Sequence, residues 1–99
     1  MKQRRVLIAP EAAADINEIY DWVAKAASPQ VAIGYIGRIE TFCRELGTGG
    51  ERGHLRADVR PGLRIMGFER RLTVAFVVGE ETVTVLRVFA TGQNWESSF

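Results

Sequence analysis

Arginines crowd one stretch of this 99-residue sequence. Six of them fall within twenty residues that contain only two acids, Asp58 and Glu69. The six are Arg52, Arg56, Arg60, Arg64, Arg70 and Arg71. Guanidinium groups bind carboxylates and phosphates through paired N–H donors, so the cluster suits an acidic protein segment or the phosphates of RNA. The remaining alternative is a solvated loop whose arginines have no specific ligand.

A further arginine, Arg87, interrupts the most apolar stretch of the sequence, TVLRVFA at residues 84–90. An arginine among strand residues must be paired or must project into a cleft, because burying an unpaired charge is costly. Its partner is therefore either an acid of the first helix or a ligand at a functional surface. Trp95, which follows a short polar link, leaves a similar choice between a structural anchor and a functional contact.

Side chains for other chemistry are sparse. His54 is the one histidine, and no neighbouring residue suggests that it activates a nucleophile. No spacing of His, Cys or carboxylates is typical of a metal site, and the glycines between residues 47 and 53 match neither nucleotide-binding fingerprint. The single cysteine, Cys43, excludes an internal disulfide and indicates a core residue in a reducing compartment. We therefore expect no metal, no cofactor and no catalytic residue.

The composition is that of one globular domain. Apolar residues make up 46% of the chain and charged residues 25%, and the formal charge is only +1. That balance excludes a generally basic nucleic-acid coat, so any basic site must be local. No segment approaches the roughly 18 apolar residues that a membrane span needs. We expect a single domain over residues 1–99, in the cytoplasm and without membrane contact.

The first half of the sequence predicts a strand and two helices. Residues 5–9 are rich in branched side chains, and Pro10 ends the strand because it lacks a backbone donor. Apolar residues then recur at helical spacing to about Ala27, after which Ser28 and Pro29 suit the cap and first turn of a second helix. The two stripes consist of Ile16, Ile19, Tyr20 and Val23, and of Ala32, Tyr35, Ile36, Ile39, Cys43 and Leu46. Gly47 is placed to cap the second helix, and the pair should form a helical hairpin.

Gly34 and Gly37 are unusual in the second helix. Each costs about 1 kcal/mol relative to alanine in a helix interior. Two glycines three residues apart therefore indicate the close approach of another backbone. That backbone belongs either to the first helix or to a partner protein.

The second half of the sequence predicts one long loop and three strands. Residues 48–61 hold glycines and charges and few apolar side chains, which indicates a loop. Apolar residues then alternate in three runs: Leu63 and Ile65; Leu72, Val74, Phe76 and Val78; and Val83 and Val85. Short turns separate the runs, so they form a meander. The order βααβββ predicts an α+β fold, with the helical hairpin packed on an antiparallel β-sheet.

Four segments, in this order and spacing, resemble the RelE/ParE superfamily of bacterial toxins and within it the ParE branch. They are APEAAADINEIYDWV at 9–23, AIGYIGRIETFCREL at 32–46, DVRPGLRIMGFERRLTVAFVV at 58–78 and VTVLRVFATGQNW at 83–95. The resemblance implies a RelE/ParE-like fold and the toxin component of a type II toxin–antitoxin system. ParE-like toxins inhibit DNA gyrase by protein–protein binding. A ParD-like antitoxin silences them with a C-terminal segment that wraps the toxin, while its N-terminal half dimerises and binds the operon's DNA.

These implications give the candidate surfaces of this chain a role. Arg87, Gln93, Asn94 and Trp95 are the predicted target-binding edge, with DNA gyrase as the target. Gly34 and Gly37, together with the six arginines of the cluster, are the predicted antitoxin-binding surface. The resemblance implies a hetero-oligomer with the antitoxin, and contact with DNA only through that antitoxin.

The tail departs from the family's usual pattern. Many relatives have His and then Arg-Asp ahead of the tryptophan, where this chain has Ala90 and then Gln93-Asn94. The alternative activity of the superfamily, ribosome-dependent mRNA cleavage of the RelE type, needs an acid and a base beside the scissile phosphate. Here no tyrosine follows Tyr35, and Ala90 stands at the end of the last strand. A non-catalytic inhibitor is therefore favoured, and the polar tail is expected to add little to the core.

Overall fold

The computed structural model describes residues 3–49 and 51–99. Along the chain the elements are β1 (Arg5–Ile8), α1 (Pro10–Ala26), α2 (Pro29–Glu45), β2 (His54–Leu55), β3 (Leu63–Phe68), β4 (Leu72–Val78), β5 (Thr82–Ala90) and a C-terminal 3₁₀ helix (Trp95–Ser98). The strands form one five-stranded sheet in the order β1-β5-β4-β3-β2. Two helices pack on this mixed sheet, and the predicted α+β fold is confirmed.

The helical hairpin begins and ends near the predicted residues. Pro10 occupies the first turn of α1, where its missing N–H is not needed. α1 ends at Ala26, and Ser28 caps α2 by accepting the Val31 N–H at 3.1 Å. The predicted apolar stripes of both helices face the sheet, because their members belong to the main core cluster or pack against it.

Gly47 does not have its predicted role. The cap of α2 is Leu46, in a right-handed helical conformation, and Gly47 is not among the residues with positive φ. Gly47 is buried, and the Arg4 N–H donates to its carbonyl at 2.7 Å. A Cβ at this position would lie 2.5 Å from the Arg4 carbonyl oxygen. Glycine is needed here because the segment before β1 passes so close, and not because the helix ends in a left-handed residue.

The sheet is mixed, so the prediction of a wholly antiparallel sheet is wrong at one edge. β1 runs parallel to β5, with Arg5 beside Thr82 and Ile8 beside Val85, whereas the other strand pairs are antiparallel. The unpredicted strand β2 explains the difference. Each short connection reverses the chain direction, so one additional strand before β3 turns β5 from antiparallel to parallel with β1.

β2 lies inside the predicted loop of residues 48–61. His54 pairs with Ile65 and Leu55 with Arg64, at the edge of the sheet opposite β1. Two residues are too few to show a period of two, which is why the pattern missed this strand. Gly53 precedes it with a φ of 80°, and a Cβ there would overlap the carbonyl oxygen of Ile65. The glycine that suggested a loop instead permits β2 to approach β3.

Both faces of the sheet are covered. The main core cluster lies between the helices and the sheet and includes Val74, Phe76, Val83, Val85 and Val88. A second cluster on the opposite face contains Leu63, Ala75 and Phe89, and Trp95 and Phe99 of the tail pack against it. The expectation that the tail adds little to the core is therefore wrong, because its two aromatic side chains cover the second face.

A β-bulge shapes the end of β5. Ala75 pairs with Arg87 and Phe76 with Val85, so Leu86 is the additional residue. Because of this insertion, Val85 and Val88 both contact the main cluster while Leu86 packs against the second one. β1 accompanies β5 only as far as Val85, and beyond that residue the β1-side edge of β5 has no neighbouring strand.

Candidate functional site

A cleft of about 500 Å³ opens between the two helices and the end of the sheet that carries the last residues of β5. It brings together residues from both predicted surfaces, namely Arg70 and Arg71 of the arginine cluster and Arg87 and Gln93 of the target-binding edge. The other lining residues are Asp15, Glu18, Ile19, Trp22, Tyr35, Leu72, Val88, Ala90 and Thr91. The cleft therefore has an apolar wall and several charged or hydrogen-bonding groups.

Arg87 is held by α1, which confirms the prediction that it has a partner. Its Nε donates to Oδ2 of Asp15 at 2.7 Å and its Nη2 donates to Oδ1 at 3.0 Å. Asp15 Oδ2 also accepts the N–H of Val88 at 2.8 Å. That N–H lies on β5 beyond the point where β1 ends, so the carboxylate takes the place of a neighbouring strand. The bond to Asp15 raises the pKa of Arg87, and the pair fixes the guanidinium at the wall of the cleft.

Arg70 and Arg71 project from a strained turn between β3 and β4. Glu69 and Arg70 have φ values of 48° and 61°, a conformation that glycine or asparagine adopts more readily. Glu69 is tied to Arg38 of α2, whose Nε lies 2.8 Å from its Oε2, and this bond lowers the pKa of Glu69. In contrast, neither Arg70 nor Arg71 has a carboxylate within 4.0 Å among residues 3–49 and 51–99.

Tyr35 and Trp22 are two of the lining residues that sequence reasoning missed. Tyr35 is 7% exposed, and its hydroxyl has no hydrogen-bond partner in the described part of the chain. Burial, reinforced by the charge of Glu69, raises the pKa of Tyr35. Trp22 lies outside the apolar stripe of α1 and is 63% exposed. Its position off the stripe was the available signal, because tryptophan is enriched at protein–protein contact surfaces.

The other members of the arginine cluster do not line the cleft. Arg52 donates to the carbonyls of Glu45 and Gly49, Arg64 donates to the carbonyls of Glu51 and Arg52, and Arg56 binds Asp58 and Glu96. Arg60 is exposed, with no side-chain hydrogen bond or ion pair to a described residue. The structure therefore divides the cluster into arginines that stabilise the loop and arginines that are free to bind.

The predicted target-binding edge is also divided. Gln93 lies in the cleft and its Oε1 accepts the Ala90 N–H at 2.7 Å, while Asn94 is exposed. Trp95 instead packs on the second cluster, with the guanidinium carbon of Arg56 5.1 Å from its ring centre. Arg56 also lies within hydrogen-bond distance of Glu96, at 2.6 Å. These contacts bind the tail to the loop before β3.

Gly34 and Gly37 lie on the exposed side of α2. A Cβ built at Gly37 has no neighbour within 4 Å, and one built at Gly34 has only the Arg38 side chain, at 4.0 Å. α1 therefore does not approach these glycines, and the alternative of intramolecular packing is wrong. Ile33, the neighbouring residue, is 63% exposed.

Comparison with known proteins decides the family. A family model described as the ParE toxin of the type II toxin–antitoxin system parDE matches residues 6–95. The chain belongs to the ParE toxin family. Among solved structures, one titled as the chromosomal ParDE TA system from P. aeruginosa matches with a TM-score of 0.77 and 25% sequence identity, over 89% of this chain and 96% of that chain. The curated proteins contain no match.

This ParE chain is thus the toxin of a ParDE type II toxin–antitoxin system. None of the helices within residues 3–49 and 51–99 has the length and apolar character required to cross a membrane. In the same region, His, Cys, Asp and Glu side chains do not gather in groups of three or more that could hold a metal ion.

Proposed function

We propose that this ParE toxin inhibits DNA gyrase by binding it, without catalysis. The match of the ParE family over residues 6–95 carries the proposal. The contact would involve the end of β5 and the polar link that follows, with Arg87 and Gln93 in the cleft, Asn94 exposed beside it in the chain and Trp95 anchored on the second cluster. DNA would be contacted only indirectly, through the antitoxin.

The chemistry of the cleft supports a binding role over RNA cleavage. Asp15 is already bound by Arg87 and by the Val88 N–H, and a phenol with a raised pKa, as in Tyr35, is a poor general base. The only histidine, His54, lies in β2 and not in the cleft. These observations favour the binding role over the RelE-type alternative, whose mechanism requires an acid and a base.

We also propose a ParD-like antitoxin as the neutralising partner. Its contact surface would include the exposed face of α2 around Gly34 and Gly37, where the Arg38 side chain is the only described group within 4 Å of a Cβ built at either glycine. The free arginines Arg60, Arg70 and Arg71 would contribute charge complementarity to an acidic segment. Such charges mainly raise the rate of association, whereas buried apolar contacts determine the affinity.

A supercoiling assay with purified gyrase tests the inhibition. The toxin should block supercoiling and stabilise cleaved DNA, and a Gln93→Ala, Asn94→Ala double variant should be at least about tenfold weaker if each side chain contributes about 1 kcal/mol. Glu80→Ala is the matched control, because the turn that joins β4 to β5 lies at the other end of β5. Ribosome-dependent cuts in mRNA, with gyrase unaffected, would instead establish the nuclease alternative.

A further inference from the structure

Three residues of the cleft carry side-chain donors that have no acceptor among residues 3–49 and 51–99. The Tyr35 hydroxyl is buried without a hydrogen bond to any described residue. Arg70 and Arg71 are exposed and have no carboxylate within 4.0 Å in the same part of the chain, and all three residues line the cleft. A buried donor without a partner destabilises a protein by about 1–3 kcal/mol. The acceptor that these groups lack can therefore come from a bound molecule.

Tyr35 and Arg71 lie within electrostatic range of each other. Burial raises the pKa of Tyr35, while the positive charge of Arg71 acts on this hydroxyl in the opposite direction. Because the phenol stays protonated at neutral pH, it donates one hydrogen bond to an incoming acceptor. A neutral donor beside guanidinium groups suits a carboxylate, which accepts several hydrogen bonds at once.

The backbone holds these arginines at the cleft. The Thr91 N–H donates to the Arg71 carbonyl at 2.8 Å, and the Thr91 hydroxyl donates to the Arg70 carbonyl at 3.0 Å. The Arg71 N–H donates in turn to the carbonyl of Phe68 at 3.0 Å. These bonds join the turn between β3 and β4 to the link after β5. The guanidinium groups consequently extend from a fixed base, which reduces the entropy lost on binding.

The other lining residues determine which groups can flank a bound carboxylate. Ile19, Leu72 and Val88 form an apolar wall, and the exposed Trp22 stands beside them. Glu18 also lines the cleft and repels a ligand with two or more negative charges. A singly charged carboxylate next to a bulky apolar side chain fits both the apolar wall and the negative charge of Glu18. A nucleotide phosphate fits neither well.

We propose that this cleft binds an acidic side chain, flanked by large apolar residues, from the antitoxin segment, with the carboxylate bound by Tyr35, Arg70 and Arg71. The identity of the occupant rests on the proposed antitoxin partner. A segment seated in this way covers Arg87 and Gln93, which line the same cleft. The antitoxin and the target then compete directly for these residues, which explains neutralisation without a change in toxin conformation.

A titration of the purified full-length toxin with blocked peptides tests the site. The probes are acetyl-Leu-Glu-Leu-amide and its glutamine counterpart, followed by the backbone NMR signals of Arg71 and Thr91 and the indole N–H signal of Trp22. The glutamate peptide should bind about tenfold more tightly than the glutamine peptide, since it makes charge-assisted hydrogen bonds. Arg70→Gln and Arg71→Gln should each remove most of this preference. Arg5→Gln is the matched control, because Arg5 is an exposed arginine of β1 that lies outside the cleft and outside the proposed antitoxin-binding surface.

Tyr35→Phe separates binding from folding. It removes a donor that has no partner in the free toxin, so thermal stability should be kept or increased, while affinity for the glutamate peptide should fall about fivefold. Equal binding of the two peptides, equal effects of Arg5→Gln and Arg71→Gln, or no saturable shift at about 10 mM peptide would each overturn the site. Binding of adenosine monophosphate that displaces the peptide would do so as well.

A competition experiment with purified antitoxin, without gyrase, tests whether the antitoxin segment binds in the cleft. Purified antitoxin, added to the peptide-bound toxin, should return the peptide signals to those of free peptide. If the antitoxin binds while the peptide stays in place, the assignment to the antitoxin segment is wrong. Because this experiment contains no gyrase, a toxin that binds the peptide but leaves supercoiling unchanged would refute only the proposed function.

Discussion

Asp15 and Asp58 each bind an arginine through two hydrogen bonds, but in different surroundings. Arg87 lies 2.7 and 3.0 Å from the Asp15 oxygens, and Arg56 lies 3.0 and 2.9 Å from those of Asp58. The Asp15 side chain is 12% exposed and that of Asp58 is 66% exposed. Water screens the second pair, whereas the first pair also satisfies the backbone of β5. The Asp15–Arg87 pair should therefore contribute more to the free energy of unfolding than the Asp58–Arg56 pair.

We expect Asp15→Ala to lower the free energy of unfolding by about 2 kcal/mol, because it leaves the Val88 N–H and most of the Arg87 guanidinium without acceptors. Asp58→Ala should cause a much smaller loss. Urea unfolding at neutral pH, followed by circular dichroism, measures both. Similar losses in the two variants would show that the Asp15 pair is only a surface contact.

Individual residues could be predicted from the sequence where burial alone decides their state. Cys43 was expected in the core, and burial raises its pKa to about 11. Arg87 was expected to need a partner, but the choice of Asp15 depends on a bulge and on the point where β1 ends, neither of which a pattern shows. Tyr35 fitted the apolar stripe of α2, and only the three-dimensional arrangement shows that its hydroxyl lacks an acceptor.

Among the elements, helices were predicted more accurately than the sheet edges. Proline and serine mark the starts of α1 and α2, since these residues act through local geometry. The strand β2 is set by its pairing with β3, a contact between residues about ten apart in the sequence. Its absence from the prediction was enough to reverse the expected direction of β5 relative to β1.

The exposed face of α2 gives a prediction at this scale. Gly34→Leu should not harm folding, because a Cβ there has only the Arg38 side chain as a neighbour, at 4.0 Å, and leucine is a better helix former. If the antitoxin packs against this face, the added side chain should weaken its binding more than Arg70→Ala does. Calorimetric titration with purified antitoxin measures the two effects.

Ala14→Leu controls for the added bulk, since residue 14 is an exposed position of α1. It should leave the antitoxin affinity within about twofold of the wild type if that helix face is free in the complex. Gly34→Leu with an unchanged affinity, or with a smaller effect than Arg70→Ala, would contradict the placement of the antitoxin on α2.

For the whole molecule, the cleft and the tail connect the two predicted surfaces. The cleft contains Arg70 and Arg71 from one surface and Arg87 and Gln93 from the other. These pairs are far apart in the sequence, because residues 72–86, which comprise β4, the turn after it and the first part of β5, lie between Arg71 and Arg87. Since β4 and β5 are antiparallel, the start of one strand lies beside the end of the other, with Leu72 paired to Ala90. Because the antiparallel pairing brings these residues into one cleft, a single partner segment can cover the cleft residues of both surfaces.

The tail gives the last prediction, because it contains both an exposed polar link and an aromatic anchor. Trp95 and Phe99 pack on the second cluster, and Arg56 ties Glu96 to the loop before β3. Removing residues 95–99 deletes two partly buried aromatic side chains, a loss of about 2–4 kcal/mol and thus a melting temperature lower by more than about 10 °C. The Gln93→Ala, Asn94→Ala double variant should melt within a few degrees of the wild type while losing gyrase inhibition. A truncated toxin that melts like the wild type would show instead that Trp95 is free to contact the target.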